Sequence, residues 1–292
     1  MDADAPPAAP PARSGRMAAR WGLGIASCLL LAAAAAWLVV HAGVYDVGAV
    51  TPHWQSTYSL LETAMHRSVE RRARALVVPA ASEALRVRGG VCFREHCVQC
   101  HGAPGVAPLP FALSMQPLPG PLVEAAARWG EAEIYWVTRH GIRMSGMPAW
   151  QYRLADDDLW GVAMFVADLE HWTPAQYLEW QQARVEERCP DPTESPAFDA
   201  TALERGRAAL RQHGCHGCHV IDGVVGPRTF VGPALAGIAQ RQLLAGRLPT
   251  THANLVRWIR APAEIEPGTA MPTLPMTEQD ATDMAAYLLH SR

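Results

Sequence analysis

Two short runs concentrate the residue types that could do chemistry, HCVQCH at 96–101 and HGCHGCH at 213–219. Each contains Cys-x-x-Cys-His, as Cys97, Cys100 and His101 and as Cys215, Cys218 and His219. That pattern serves half of a zinc site, a redox dithiol or the covalent attachment of a c-type haem. One zinc shared by the four cysteines would leave the histidine after each pair unexplained. A dithiol would sit in a single thioredoxin-like βαβ pattern, and none is legible. Covalent haem uses every element: two sulfurs for one porphyrin edge, and an imidazole under the iron. His216, between two cysteines, cannot reach that iron and reads as a spacer; His96 and His213 read as surface residues.

The axial position opposite the histidine has its own candidates. Methionine opposite histidine is one known haem ligation, and it raises the reduction potential. A Met-Pro pair follows each motif, at Met147-Pro148 and at Met271-Pro272, and proline biases the preceding residue towards extended backbone. Met144 is the rival in the first case and His140 a weaker one. Met276 is the rival in the second, but it fits the apolar pattern of the last helix. Met147 and Met271 are therefore the expected ligands. Such a site exchanges single electrons and leaves no open position for oxygen or peroxide.

These residues lie in two segments that repeat one another, about 88–169 and 205–289. Each opens with a short helix before its motif and closes with an amphipathic helix, LADDDLWGVAMFVADL and MTEQDATDMAAYLL. The closing helices align without a gap from Leu154 and Met276, placing Phe165 opposite Tyr287. Acidic residues crowd both first turns, where the helix dipole favours them.

Ahead of the repeats, residues 21–40 run without a formal charge, and about twenty apolar residues suffice to cross a bilayer. Arg13, Arg16 and Arg20 precede this stretch, and the next arginine is Arg67. That asymmetry predicts a cytoplasmic N-terminus and exported repeats. A cleaved signal peptide is the alternative, disfavoured because its apolar region is usually shorter. The stretch 54–76 reads as a helix whose Arg67, Arg71, Arg72 and Arg74 meet either lipid head groups or solvent. The chain has a formal charge of −3 and no clustered basic surface, so no nucleic-acid partner is expected.

Both repeats resemble class I cytochrome c domains. In that family a glycine and an aromatic four residues on, in the first helix, pack against an aromatic of the last. Gly89 and Phe93 fill those places opposite Phe165. In the second repeat Gly206 and Leu210 keep the spacing, with one extra residue before Cys215. VGPALAG resembles the loop whose proline carbonyl holds the proximal imidazole, which assigns Pro233 to His219; the first repeat, with PLP and PLPGP, offers no named equivalent. Trp258 resembles a position near a haem propionate, with an ordinary core tryptophan as the equal alternative. The layout is similar to membrane-anchored dihaem cytochromes c of bacterial respiratory chains.

The resemblance implies an all-α fold, with tandem cytochrome c-like domains behind one N-terminal transmembrane helix. The expected segments are a disordered cytoplasmic N-terminus (1–20), the transmembrane helix (21–44) and a juxtamembrane helical segment (45–84). Cytochrome domain 1 (85–172), a helix and Pro-rich linker (173–197) and cytochrome domain 2 (198–292) follow. Two covalent haem c groups are expected, with their iron held by His101 and Met147 and by His219 and Met271. The implied role is an electron carrier, not an enzyme, single-pass in the bacterial inner membrane with its haem domains in the periplasm. Its partners would be the membrane, a quinol-oxidising complex or dehydrogenase as donor, and a terminal oxidase as acceptor. Alternatives are a haem subunit of an oxidase or dehydrogenase complex, or a dihaem cytochrome c peroxidase. Cys92 and Cys189 are the two unassigned cysteines of the exported portion. An oxidising compartment allows a bridge between them, and a free Cys92 serving as a small buried residue is the other reading.

Overall fold

The computed structural model describes residues 13–190, 201–229 and 231–291. The first twelve residues, most of the Pro-rich tether and Phe230 lie outside the described residues. The chain is mostly helical. Its first unit, Met1–Trp54, contains helix α1 (Arg13–His41). Residues Arg20–His41 of α1 have a mean hydropathy of 2.4 and none is buried against protein. An all-round apolar helix without a protein partner is suited to hydrocarbon.

The second unit, Gln55–Arg292, begins with α2 (Gln55–Ala73). The first repeat comprises α3 (Glu83–His96), the single turn α4 (Val98–His101), α5 (Glu131–His140) and α6 (Asp156–Asp168), and α7 (Pro174–Ala183) follows it. The second comprises α8 (Ala202–Gln212), α9 (His252–Arg260), the short α10 (Pro262–Ile265) and α11 (Glu278–His290). A two-stranded ribbon, Leu243–Leu244 paired antiparallel with Leu248–Pro249, interrupts the second repeat.

In each repeat the first and last helices cross at a glycine, because nothing larger fits. A Cβ on Gly89 would fall 1.9 Å from the Gly161 carbonyl carbon, and one on Gly206 would fall 2.0 Å from the Asp283 carbonyl oxygen. The first crossing brings Phe93 against Phe165, with ring centroids 5.5 Å apart. Each crossing also carries a buried acid answered from the first helix. Arg88 pairs with Asp158, while Arg205 grips Asp283 at 2.6 and 3.1 Å. Burial makes the pairing obligatory, since an unpaired carboxylate there would cost several kcal/mol. The closing helices α6 and α11 have 13 residues each, as their gapless alignment predicts.

The extra residue before Cys215 has a local solution. Gly214 takes φ +69°, a left-handed conformation open to glycine, and the motif then starts as a 3₁₀ turn, Cys215–Gly217. In the first repeat Cys97 follows α3 directly and the motif forms α4.

Two segments outside the first repeat contribute to its packing. On α2, Val69 and Ala73 are buried, His66 stacks on Trp129 at 4.1 Å, and Arg72 lies over the Trp136 ring. Arg67 and Arg74 flank Glu70 at 3.0 and 2.9 Å. Helix α7, read from the sequence as a helix between the repeats, sends Tyr177 into the same core as Phe93, Phe165 and Cys97. The reason is a cluster of large rings: Trp180 packs on Phe165 at 5.1 Å and Trp172 at 5.6 Å. Beyond α7 a disulfide joins Cys189 to Cys92, the first of the two readings left open by the sequence.

Candidate functional site

The first motif is a single helical turn. Its backbone closes through His101 N–H to the Cys97 carbonyl at 2.9 Å and Gly102 N–H to the Val98 carbonyl at 2.9 Å. Gly102, at φ +67°, ends the turn where a Cβ would fall 2.6 Å from the Val106 carbonyl oxygen. Cys97 is buried, and burial pushes its thiol up to about 12. The His101 ring donates from Nδ1 to the Gly120 carbonyl at 2.7 Å. Burial holds its pKa below the ordinary histidine value, against the opposing pull of that carbonyl.

The second motif repeats this arrangement in a different backbone. His219 N–H bonds the Cys215 carbonyl at 2.9 Å, and burial raises the Cys215 thiol to about 11. The His219 ring donates from Nδ1 to the Pro233 carbonyl at 2.7 Å, the contact implied by VGPALAG. Gly232 brings that loop in, since a Cβ there would stand 2.4 Å from His219 Cε1. Its N–H returns to the Cys218 carbonyl at 2.8 Å.

A backbone carbonyl on Nδ1 fixes one tautomer and orients the ring, so Nε2 carries the lone pair that a metal requires. Both motifs therefore offer two thiols within one turn and an imidazole oriented through Nδ1, with Nε2 left to a metal. This donor set fits a covalently attached haem at each motif. Cys97 and Cys100, and Cys215 and Cys218, would hold it by thioether bonds; His101 and His219 would supply the proximal nitrogen. When bound, the group supplies one-electron exchange. Among the described residues, no three or more His, Cys, Asp or Glu side chains gather as a separate cation site, and the two Cys pairs are not brought together.

The methionine loops share a device that the sequence reading missed. Met147 N–H bonds Ser145 Oγ, and Met271 N–H bonds Thr269 Oγ1, each at 3.2 Å. A hydroxyl two residues before Met-Pro was the available signal. Both methionines are half-buried, whereas Met144 stands 94% exposed at φ +61°. Met276 packs against the second core. His140 is engaged by its own turn, bonding the Trp136 carbonyl at 3.0 Å.

One sequence expectation is corrected. His213 is not a surface residue: it is buried, with Nε2 3.2 Å from Asp280. The acid of the α11 first turn, read only as a dipole feature, provides its partner. His96 is half-buried against Trp150, at 5.1 Å between centroids. The His216 ring packs beside Gly226, and its Nδ1 has no hydrogen-bond partner among the described residues. Trp258 is half-buried on α9. Gly120 was also missed; PLPGP was noticed, but the first repeat needs 19 residues to return to its histidine where the second needs 14.

Two small helical units, each with a thiol pair and an oriented imidazole, define a protein of covalent haem attachment. Comparison with known families places the two units. Residues 86–166 match the family described as cytochrome C oxidase, cbb3-type, subunit III, and residues 203–292 match cytochrome c. The chain thus contains two cytochrome c domains in tandem, which carry two c-type haems and serve electron transport. It is similar to cytochrome c oxidase subunit 2 of Alkalihalophilus pseudofirmus, with 35% identity over 113 residues. That match covers 38% of this chain and 29% of the relative, so the chain spans under a third of its length. A chain of the Kuenenia stuttgartiensis reducing HAO-like protein complex aligns at 14% identity over 73% of this chain and 98% of that one. Its TM-score is 0.26, too low to carry an argument.

Proposed function

We propose that the protein relays single electrons in a bacterial respiratory chain, from a quinol-oxidising complex or a dehydrogenase towards a terminal oxidase. Met147 and Met271 complete the two irons opposite His101 and His219. Helix α1 holds the haem domains at the periplasmic face of the inner membrane. The observation that carries this reading is the pair of imidazoles, each tied through Nδ1 to a backbone carbonyl, in domains whose Met-Pro loops share one hydrogen bond from the methionine N–H to a hydroxyl two residues back. With both axial positions filled the haems exchange electrons and bind no substrate, and methionine ligation sets the high potential suited to an acceptor downstream of quinol. Anchoring keeps the haems at a raised local concentration beside membrane partners.

The similarity of the first domain to an oxidase subunit family, and of the chain to an oxidase subunit 2, favours one variant of this role: a fixed haem subunit of an oxidase. The test covers both. Reduced full-length protein is mixed with membranes containing a haem–copper oxidase, with and without cyanide. Rapid cyanide-sensitive oxidation is expected of a relay, and co-purification with oxidase activity of a fixed subunit. Catalytic consumption of peroxide by the reduced protein would overturn both.

A further inference from the structure

Helix α2 has two unlike faces. One is packed on the first haem domain: Val69 and Ala73 are buried, His66 stacks on Trp129 at 4.1 Å, and Glu62 stands 4.0 Å from Arg128. Arg72 is held towards this side, 5.8 Å from the Trp136 ring centroid and donating to the Ser68 carbonyl and hydroxyl. These contacts fix the helix on the domain, so whatever its other face meets also holds the domain.

The other face is a stripe of Leu60, Ala64, Arg67, Arg71 and Arg74, all exposed. Arg74 sits in the turn that continues the helix, its N–H bonded to the Glu70 carbonyl at 3.3 Å. Steps of four and three residues put these side chains along one line, and the three arginines span about 10 Å at the helical rise. Glu70 is shared between Arg67 at 3.0 Å and Arg74 at 2.9 Å, whose side chains stay 77% and 71% exposed. Arg71 has no hydrogen bond or ion pair among the described residues. Residues 67–74 thus hold four arginines against one acid, in a chain whose formal charge is −3. Cations gathered against the sign of the whole chain select an anionic partner.

Chain connectivity says which anion is at hand. Helix α1 ends at His41 and α2 starts at Gln55, so the backbone keeps α2 within roughly 45 Å of the end of an apolar helix long enough to span a bilayer. A guanidinium offers a fork of donors that matches phosphate, and arginines beside a membrane span are drawn to anionic lipid.

We propose that the Arg67, Arg71 and Arg74 face of α2 binds the phosphates of anionic phospholipids and so seats the first haem domain against the bilayer in one orientation. The inference rests on α1 being a membrane anchor, which the same experiment reads separately. Each arginine near an anionic surface contributes about fivefold to binding, and salt weakens that attraction by shortening the screening length.

The experiment is arginine footprinting of full-length protein in lipid nanodiscs of phosphatidylcholine, or of an equal mixture of phosphatidylcholine and phosphatidylglycerol. Phenylglyoxal, an uncharged reagent, modifies accessible guanidinium groups, and peptide mass spectrometry reads each site. Modification of Arg71 is expected to slow about fivefold in the mixed discs and to recover in high salt. Arg211, exposed on the second domain, should react alike in both discs. Arg67→Gln combined with Arg74→Gln should return Arg71 towards its rate in phosphatidylcholine, whereas Arg67→Lys combined with Arg74→Lys should keep most of the protection. Equal rates at Arg71 in the two discs, or an equal slowing of Arg211, would overturn the proposal. Protection found in native membranes but in neither disc would also overturn it, and would give the face to an acidic protein. Full-length protein recovered free of the discs would sink the anchor reading, and this inference with it.

Discussion

Substituting Gly232 by alanine acts directly on His219, the proposed proximal ligand of the second haem. The new methyl would stand 2.4 Å from His219 Cε1, where ordinary contact begins at 3.4 Å. The Gly232 backbone is pinned by its N–H bond to Cys218, so the ring must give way, by about 1 Å for a normal contact. The 2.7 Å bond from Nδ1 to Pro233 would stretch beyond hydrogen-bond range. Such a bond contributes about 1 kcal/mol net, about a fivefold change in an equilibrium constant. The bond makes the imidazole a stronger donor and so favours the ferric state. Losing it should raise the second haem's midpoint by about 40 mV at 59 mV per tenfold. Potentiometric titration of the full-length variant would show one component moving up and the other fixed. An unchanged or lowered second component, with both haems attached, would refute the role given to Gly232 and Pro233.

Other perturbations report on other parts of the account. Met147→Ala and Met271→Ala should each abolish half of the weak near-red sulfur–iron absorption, while Met144→Ala should leave it whole; loss with Met144→Ala would reassign the first ligand. Breaking the disulfide with Cys92→Ala opens a loop of sequence separation 97 and should cost the first domain about 4 kcal/mol in denaturant unfolding. An unchanged midpoint would mean that the bridge adds no stability. Gly89→Ala forces two backbones apart at the α3–α6 crossing and should destabilise the first domain by about 3 kcal/mol, read by calorimetry, with the second domain's transition unmoved. A normal transition for the first domain would contradict the crossing.

Local rules made much of this legible in the sequence. The thiol pairs, their histidines and the Met-Pro pairs are contiguous, and the closing helices declare themselves by apolar spacing. Gly89 and Phe93 are implied by the family resemblance, and the structure places them against Gly161 and Phe165. Long-range closures were harder to read. Gly120 reaches His101 through a loop longer than that of the second repeat, so matching the repeats could not locate it. His213 looked exposed because its partner Asp280 comes from the opposite end of the domain. Helix α7 reads as a helix between the repeats, and only tertiary packing shows Tyr177 inside the first core with Trp180 packed against it. The bond from Cys189 to Cys92 closes the same segment, and no sequence spacing specifies it.

The central claim is two covalently attached haems, one at each motif. Full-length protein extracted with acidic acetone should keep its colour and give an alkaline pyridine spectrum of two c-type haems per polypeptide, with iron in the same ratio. A variant with both Cys215→Ala and Cys218→Ala should keep one. Haem lost to the solvent, or zinc found in place of iron at the cysteine pairs, would contradict the account.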